Sequence, residues 1–199
     1  MTDKQVTDHK PPQRTGDLER LYQDLLDNQA AEVKKLPPVD SWNPPLSGDI
    51  DIVVERNGDW VHEGARIKRE PLVRLFATIL KREGDEYFLV TPAEKWRIQV
   101  RDVPFAVIAV AAQQRHGEQA LVFTTGTGDE TIAGPNNPIR VVINQATGEP
   151  SPYVLIRKNL EGLIQRNVYY ELVEMAETRE INGQKIYGVT SMGQFFNLA

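Results

Sequence analysis

The sequence contains no cysteine, which excludes disulfides, thiolate nucleophiles and zinc–thiolate centres. Histidine is scarce. His9, His62 and His116 are the only three, and no H-x-x-x-H or H-E-x-x-H spacing joins them, so a histidine metal site has no frame. Positive charge does not dominate either: 23 basic residues face 28 acidic ones, for a net charge of −5. A nucleic-acid polymer as main partner needs a clustered positive field, and that balance argues against one. No apolar run approaches the roughly 18 residues that span a bilayer. The longest, residues 103–112, is interrupted by Pro104 and fits a buried strand. Residues 1–16 are polar and carry no apolar core or cleavage site of an export signal, so the expected compartment is cytoplasmic. Ser41, Ser47, Ser151 and Ser191 lie outside any G-x-S-x-G elbow. Gly126-Thr127-Gly128 lacks the third glycine and the G-K-[ST] of a phosphate cradle and reads as a plain turn.

What is present suffices for a globular core: 40% of residues are apolar and 26% charged, over 199 residues. Four segments are expected. Residues 1–47 form a flexible tail, a helix and a proline-rich connector. In the helix, Asp17 caps and Leu18, Leu21, Tyr22 and Leu25 make one face. Pro37, Pro38, Pro44 and Pro45 stiffen the connector around Trp42, an anchor first and an aromatic platform second. Residues 48–101 form a first α+β copy. Ile50, Ile52 and Val54 alternate with polar residues as in a half-buried strand, and Asn57-Gly58 suits a type I′ hairpin turn. A helix from Glu70 carries Leu72, Leu75, Phe76, Ile79 and Leu80 on one face and stops near Gly84. Strands over residues 87–91 and 95–101 close the copy.

Residues 102–138 are linking strands and a loop. Residues 139–199 form a second copy: a hairpin, a helix capped by Asn159 with Leu160, Leu163, Ile164 and Val168 on one face, then closing strands. The tails run in parallel, with Tyr87 to Trp96 echoing Ile186 to Phe195, and Ile67-Lys68-Arg69 echoing Ile156-Arg157-Lys158. The fold class is therefore α+β: a duplicated hairpin–helix–strand unit, two packed curved sheets each covered by a helix, plus an N-terminal helix. The seam between copies is a natural cleft.

Two constellations carry chemistry. Asp49 and Asp51 share one strand face about 7 Å apart. With Glu94 they form an acidic cluster that could hold a hard cation or simply charge a sheet face. Between Arg66 and Arg101 nine basic residues stand against five acidic ones, and Arg69 and Arg157 approach helix starts, where backbone N–H groups favour an anion.

Several stretches resemble a proteobacterial family of domains of unknown function. They include Trp42-Asn43-Pro44-Pro45, Gly48-Asp49-Ile50-Asp51-Ile52, Asn57-Gly58-Asp59-Trp60, Pro71-Leu72-Val73-Arg74-Leu75-Phe76, Pro152-Tyr153-Val154 and Val168-Tyr169-Tyr170-Glu171-Leu172-Val173. The resemblance implies a duplicated α+β core whose second copy is superficially pleckstrin-homology-like. It also implies a nucleotide-like ligand at the interface of the copies, and a role in signalling. This chain departs from the pattern at Gly126, where a polar Asn is expected after Thr-Thr.

The first reading is a non-enzymatic binding protein for an anionic, nucleotide-like small molecule. Arg69, Lys95 and Arg157 would hold its charge, and Trp42 or Tyr153 would stack a ring. No cofactor, metal or catalytic residue is assigned. The alternatives are a metal-assisted hydrolase using Asp49, Asp51 and Glu94, and an adaptor that recruits a protein partner through a sheet edge.

Overall fold

The computed structural model describes residues 36–198. The expected tail and the helix from Asp17 lie outside them. After a short 3-10 turn (Val39–Ser41), the chain builds two six-stranded sheets and a smaller three-stranded one. The structure is mainly sheet, with two α-helices among the described residues.

The first sheet begins with β1 (Leu46–Val54), β2 (Trp60–His62) and β3 (Ala65–Arg66). Helix α1 (Glu70–Thr78) follows, and then β4 (Leu80–Glu83), β5 (Glu86–Val90) and β6 (Lys95–Val100). Their order is β3-β2-β1-β6-β5-β4, with β1 and β6 parallel at the centre. Ile50, Ile52 and Val54 point into the core as the alternation requires. Helix α1 starts at Glu70 with Pro71 in its first turn and buries Leu72, Leu75, Phe76 and Ala77. Phe76 stacks on Trp60 with ring centroids 6.2 Å apart.

The second sheet comprises β7 (Phe105–Arg115), β8 (Glu118–Thr125), β9 (Glu130–Ile132), β10 (Ile139–Ile143), β11 (Pro150–Arg157) and β12 (Leu160–Ile164). Its order is β10-β11-β12-β7-β8-β9, with β12 and β7 parallel at the centre. Each sheet is thus two three-stranded meanders whose first and last strands meet in parallel. The two six-stranded sheets repeat one topology, which relates residues 46–100 to residues 105–164. The expected pairing of residues 48–101 with 139–199, with 102–138 as a link, is not this repeat, because residues 105–132 supply half of the second sheet and residues 166–197 lie outside it. Helix α2 (Arg166–Glu174) and the sheet of β13 (Glu177–Ile181), β14 (Gln184–Ser191) and β15 (Gln194–Asn197) follow. Helix α2 packs on β7 and β14, burying Val168 and Leu172.

Three expectations are corrected. The helix capped by Asn159 is strand β12 over most of its length, and α2 begins at Arg166, so α1 and α2 do not occupy equivalent places. Strand β12 lies between β11 and β7. A strand buried on both faces loses the period of two, and Leu160, Leu163 and Ile164 then imitate helical spacing. The helix from Glu70 ends at Thr78, and Leu80 begins β4. The Asn57-Gly58 turn is not type I′. Gly58 alone takes a positive φ, 89°, while its N–H bonds the Glu55 carbonyl and the Glu55 N–H bonds the Asp59 carbonyl. That is a type I turn closed by a glycine bulge.

One continuous apolar core runs from Val39 through both six-stranded sheets to Leu198. No helix among the described residues is long and apolar enough to cross a membrane.

Candidate functional site

The predicted basic residues do not converge on a cavity. Arg69 stands exposed at the N-cap of α1. Lys95, at the start of β6, donates to Glu83 at 2.9 Å and lies 4.9 Å from the Phe88 ring centroid. Arg157, at the end of β11, is largely buried, its side chain 14% exposed. Its guanidinium pairs with Asp129, donates to the Ala77 carbonyl of α1, and sits 4.9 Å over the Phe105 ring. Burial holds its pKa down to about 10, which still leaves it charged at neutral pH. Arg157 therefore clasps the second sheet to α1 of the first.

Of the two aromatic predictions, Trp42 is half-buried against the core, and its carbonyl accepts from Lys81 Nζ at 3.1 Å. Tyr153 on β11 is buried. Its hydroxyl donates to Asp102 at 3.1 Å, and the Arg140 guanidinium lies 4.1 Å over its ring. Burial, then the Asp102 charge, raises its pKa.

Nor do the acidic predictions form a metal centre. Asp49 on β1 accepts from Arg97 at 2.7 Å, and Glu94 accepts from Trp96 Nε1 at 3.2 Å. The Asp51 carbonyl accepts from His62 Nδ1 at 2.8 Å. Among the described residues no group of three or more His, Asp and Glu is placed to hold a metal ion.

A groove does lie at the seam of the two six-stranded sheets. It has a volume of about 530 Å³ and runs between the β1–β2 turn, β11 and the start of α2, within the usual range for small-molecule sites. Its walls carry Arg56 and Asn57 from the first unit, Ser151 from the second, and Arg166, Tyr169 and Tyr170 from α2. Arg56 is held in place: Nε donates to Asp102 at 3.1 Å and Nη2 to Ser151 Oγ at 2.7 Å. Arg166 Nε donates to the Tyr170 hydroxyl at 2.8 Å, and Tyr170 remains half exposed. The Tyr169 hydroxyl donates to the Leu198 carbonyl, which leaves its ring as a fixed wall. Glu149 is the one acidic residue in the lining of the groove. Tyr153 stands next to Pro152, which lines the groove, and shares Asp102 with Arg56.

Sequence reasoning missed Arg56, Arg166, Tyr169 and Tyr170. One signal was legible. Arg166 opens α2 with no acidic residue in the first turn and no side-chain cap, against the preference of a helix dipole for negative charge there. A broken local rule of that kind marks a position chosen for something other than stability.

A smaller cavity, about 210 Å³, lies on the other side of the β1–β2 turn, against α1 and β7. A third, about 310 Å³, sits between β4 and the β11–β12 turn, where Lys158 pairs with Asp40 at 2.7 Å.

No protein of curated function matches the chain. Residues 37–103 match the N-terminal domain of unknown function of DUF1285, and residues 104–198 match the C-terminal domain of the same protein of unknown function. The crystal structure of a DUF1285 family protein from Silicibacter pomeroyi DSS-3, at 2.50 Å resolution, is 44% identical. It superposes with a TM-score of 0.76 over 87% of this chain and 93% of its own. A DUF1285 family protein from Shewanella baltica OS155, solved at 1.40 Å, is 31% identical with a TM-score of 0.50. That match covers 63% of this chain and 91% of its own. With both halves matched in order and a relative aligned over nearly its whole length, the chain belongs to the DUF1285 family.

Proposed function

We propose that this protein is a non-enzymatic binding protein that takes a small, nucleotide-like anion in the groove between its two sheet units, and that occupancy of the groove serves signalling. The observation that carries this reading is that Arg56 of the β1–β2 turn and Arg166 of α2 both line one groove of about 530 Å³, walled by Tyr169 and Tyr170. Guanidinium groups bind phosphate oxygens in forked pairs, and tyrosine rings stack a base. Arg69, Lys95, Arg157 and Trp42 are not lining residues of this groove, so the proposal rests on a different set of side chains from the sequence expectation, with Tyr153 beneath it.

The test is isothermal titration of ADP, GDP and inorganic pyrophosphate into the protein and its Arg56→Ala, Arg166→Ala and Tyr170→Ala variants. Charge-assisted contacts are worth on the order of 1.5–3 kcal/mol, so each arginine variant weakens nucleotide binding about tenfold or more. Tyr170→Ala weakens nucleotides and spares pyrophosphate. Absence of binding at millimolar nucleotide, or unchanged affinity in both arginine variants, overturns the proposal.

A further inference from the structure

Strand β7 is a central strand for only part of its length. Strand β12 pairs with residues 105–107 and ends there, and the last bond on that side runs from the Gln165 N–H to the Val107 carbonyl. Strand β8 stays paired with β7 as far as Arg115, where His116 and Gly117 turn the hairpin with positive φ. Residues 108–115 therefore have β8 on one side, and among the described residues no backbone group on their other side bonds another strand. In an antiparallel pair every second residue aims its N–H and C=O away from the partner, so a row of donors and acceptors roughly 25 Å long stands open.

That stretch reads Ile-Ala-Val-Ala-Ala-Gln-Gln-Arg. Ile108 is 52% exposed, Ala109, Ala111 and Ala112 are exposed, and Val110 is half-buried against the core. Helix α2 packs on β7, burying Val168 and Leu172, and still leaves Ile108 and the three alanines exposed. Residues 108–114 hold no charge, proline or glycine, in a chain of which 26% is charged. Sheet edges are ordinarily blunted by charge, brevity or cover, and the other edges of this fold follow that rule. Strand β3 is two residues long and β9 three. Strands β4 and β13 each carry three charged residues. Strand β10 carries Arg140, and β15 lies against it. The β7 edge has none of these devices before Arg115.

We infer that residues 108–115 of β7 are an association edge, and that the strand they take is the same edge of a second copy of this chain. A two-fold pairing sets a patch against itself, so an edge carrying charge of one sign repels its own copy. This edge meets itself without a like-charge contact. A foreign partner selected by charge complementarity has no charge to meet there. In an antiparallel pair about a two-fold axis, one residue faces its own copy. The centre of the free stretch is Ala111 and Ala112, and either register sets methyl against methyl at the axis, which lets the backbones approach. The two second sheets then continue through β7 into one sheet. A single strand edge buries less than the roughly 1,200 Å² of a standard interface, so the dimer is weak and its dissociation constant micromolar. The edge is independent of the seam groove and of what that groove binds.

Sedimentation velocity of the full chain from about 5 to 500 µM is expected to show a monomer–dimer equilibrium. Ala111→Lys and Ala112→Lys in one chain put a lysine on each face of the exposed strand. That variant keeps the circular dichroism spectrum, and its dissociation constant rises about tenfold or more. The chain has no cysteine of its own, so single cysteines report the register. A disulfide needs Cα atoms about 4.4–6.8 Å apart, which only the self-facing position offers. Under mild oxidation one of Ala111→Cys and Ala112→Cys crosslinks readily, and Tyr187→Cys, exposed on β14, does not. Three results overturn the inference. One is a chain that stays monomeric at about 500 µM, which leaves the edge to another protein's strand or to residues 1–35. Another is a dimer that the two lysines do not weaken. The third is a disulfide that forms no faster at position 111 or 112 than at 187.

Discussion

Arg157 gathers three contacts on one side chain: an ion pair to Asp129, a hydrogen bond to the Ala77 carbonyl and the face of Phe105. Removing it leaves a carboxylate and a carbonyl without their donor in a place water reaches poorly. Breaking a buried pair from one side costs about 3–5 kcal/mol, so Arg157→Ala lowers the urea midpoint strongly. Arg157→Lys recovers little, because a point charge cannot serve Asp129 and Ala77 together. Chemical denaturation of the two variants checks both statements. The sequence shows Arg157 as a basic residue approaching a helix start, which reads as a contact for an anion. Its burial depends on Asp129 and Ala77, which are 28 and 80 residues away, and no local pattern reports that.

Glu83 provides a pH signature on the opposite edge. Hydrogen bonds from Lys95 and then Lys81 lower its pKa below 4.5. A carboxyl whose folded pKa is depressed stabilises the fold above its unfolded pKa, and that contribution fades as pH falls through the folded value. The carboxylate is partly exposed, its side chain 38% accessible, so salt screens the effect. In an NMR titration the Glu83 carboxyl titrates below 4.5, and Lys95→Met moves the midpoint upward. An unchanged midpoint in that variant removes Lys95 as the main cause.

At the scale of elements, two glycines allow a controlled comparison. Gly58 and Gly128 close turns of the same design, each with φ of 89° and an N–H bonded to the carbonyl three residues back. A side chain at either position meets the left-handed penalty of roughly 1–2 kcal/mol. Only at Gly58 does the new Cβ also collide, with Ala106 Cβ at 2.5 Å, whereas nothing lies within 4 Å at Gly128. Overpacking adds about 1–3 kcal/mol. Gly58→Ala is therefore the more destabilising variant by about that margin, as read from two denaturation curves. Equal costs would show that the seam yields at this turn.

Elements that expose one face were legible in the sequence. Ile50, Ile52 and Val54 alternate because β1 has one face on the core, and α1 was found from Pro71 and its apolar stripe. Elements enclosed by others were not. Strand β12 carries buried apolar residues on both faces, and Leu160, Leu163 and Ile164 fall by chance at helical intervals. Gly162 was the warning, being a poor helix residue. A Cβ there would meet Val107 Cγ2 at 2.9 Å, so the glycine permits the close approach of β12 to β7. The candidate groove was illegible for a related reason. Arg56 and Arg166 line one groove only because the β1–β2 turn docks beside β11 and α2, which is decided by the shared core and not by either segment.

At the scale of the whole molecule, the two matched halves share one core. The cluster that begins at Val39 includes Trp60, Phe76 and Leu89 of the first unit with Phe105, Phe123 and Leu160 of the second. Polar contacts cross its rim: Arg56 to Ser151 at 2.7 Å, Asn159 to the Arg82 carbonyl at 3.2 Å, and Arg157 to Ala77. Neither unit can leave the other without exposing apolar surface and unmaking these bonds, so the described structure unfolds as one cooperative unit. The sequence supplies a convenient probe. All three tryptophans, Trp42, Trp60 and Trp96, lie in the first matched half, so their fluorescence reports that half alone, while far-ultraviolet circular dichroism reports both. In urea the two signals are expected to share one midpoint and one slope. Residues 37–103 expressed alone would leave the seam face of Trp60 and α1 bare, and are expected to show collapsed amide dispersion by NMR. A fluorescence midpoint displaced from that of circular dichroism, together with a well-dispersed isolated half, would mean that the units fold separately and meet afterwards. The groove between them would then be a hinge and not a fixed wall.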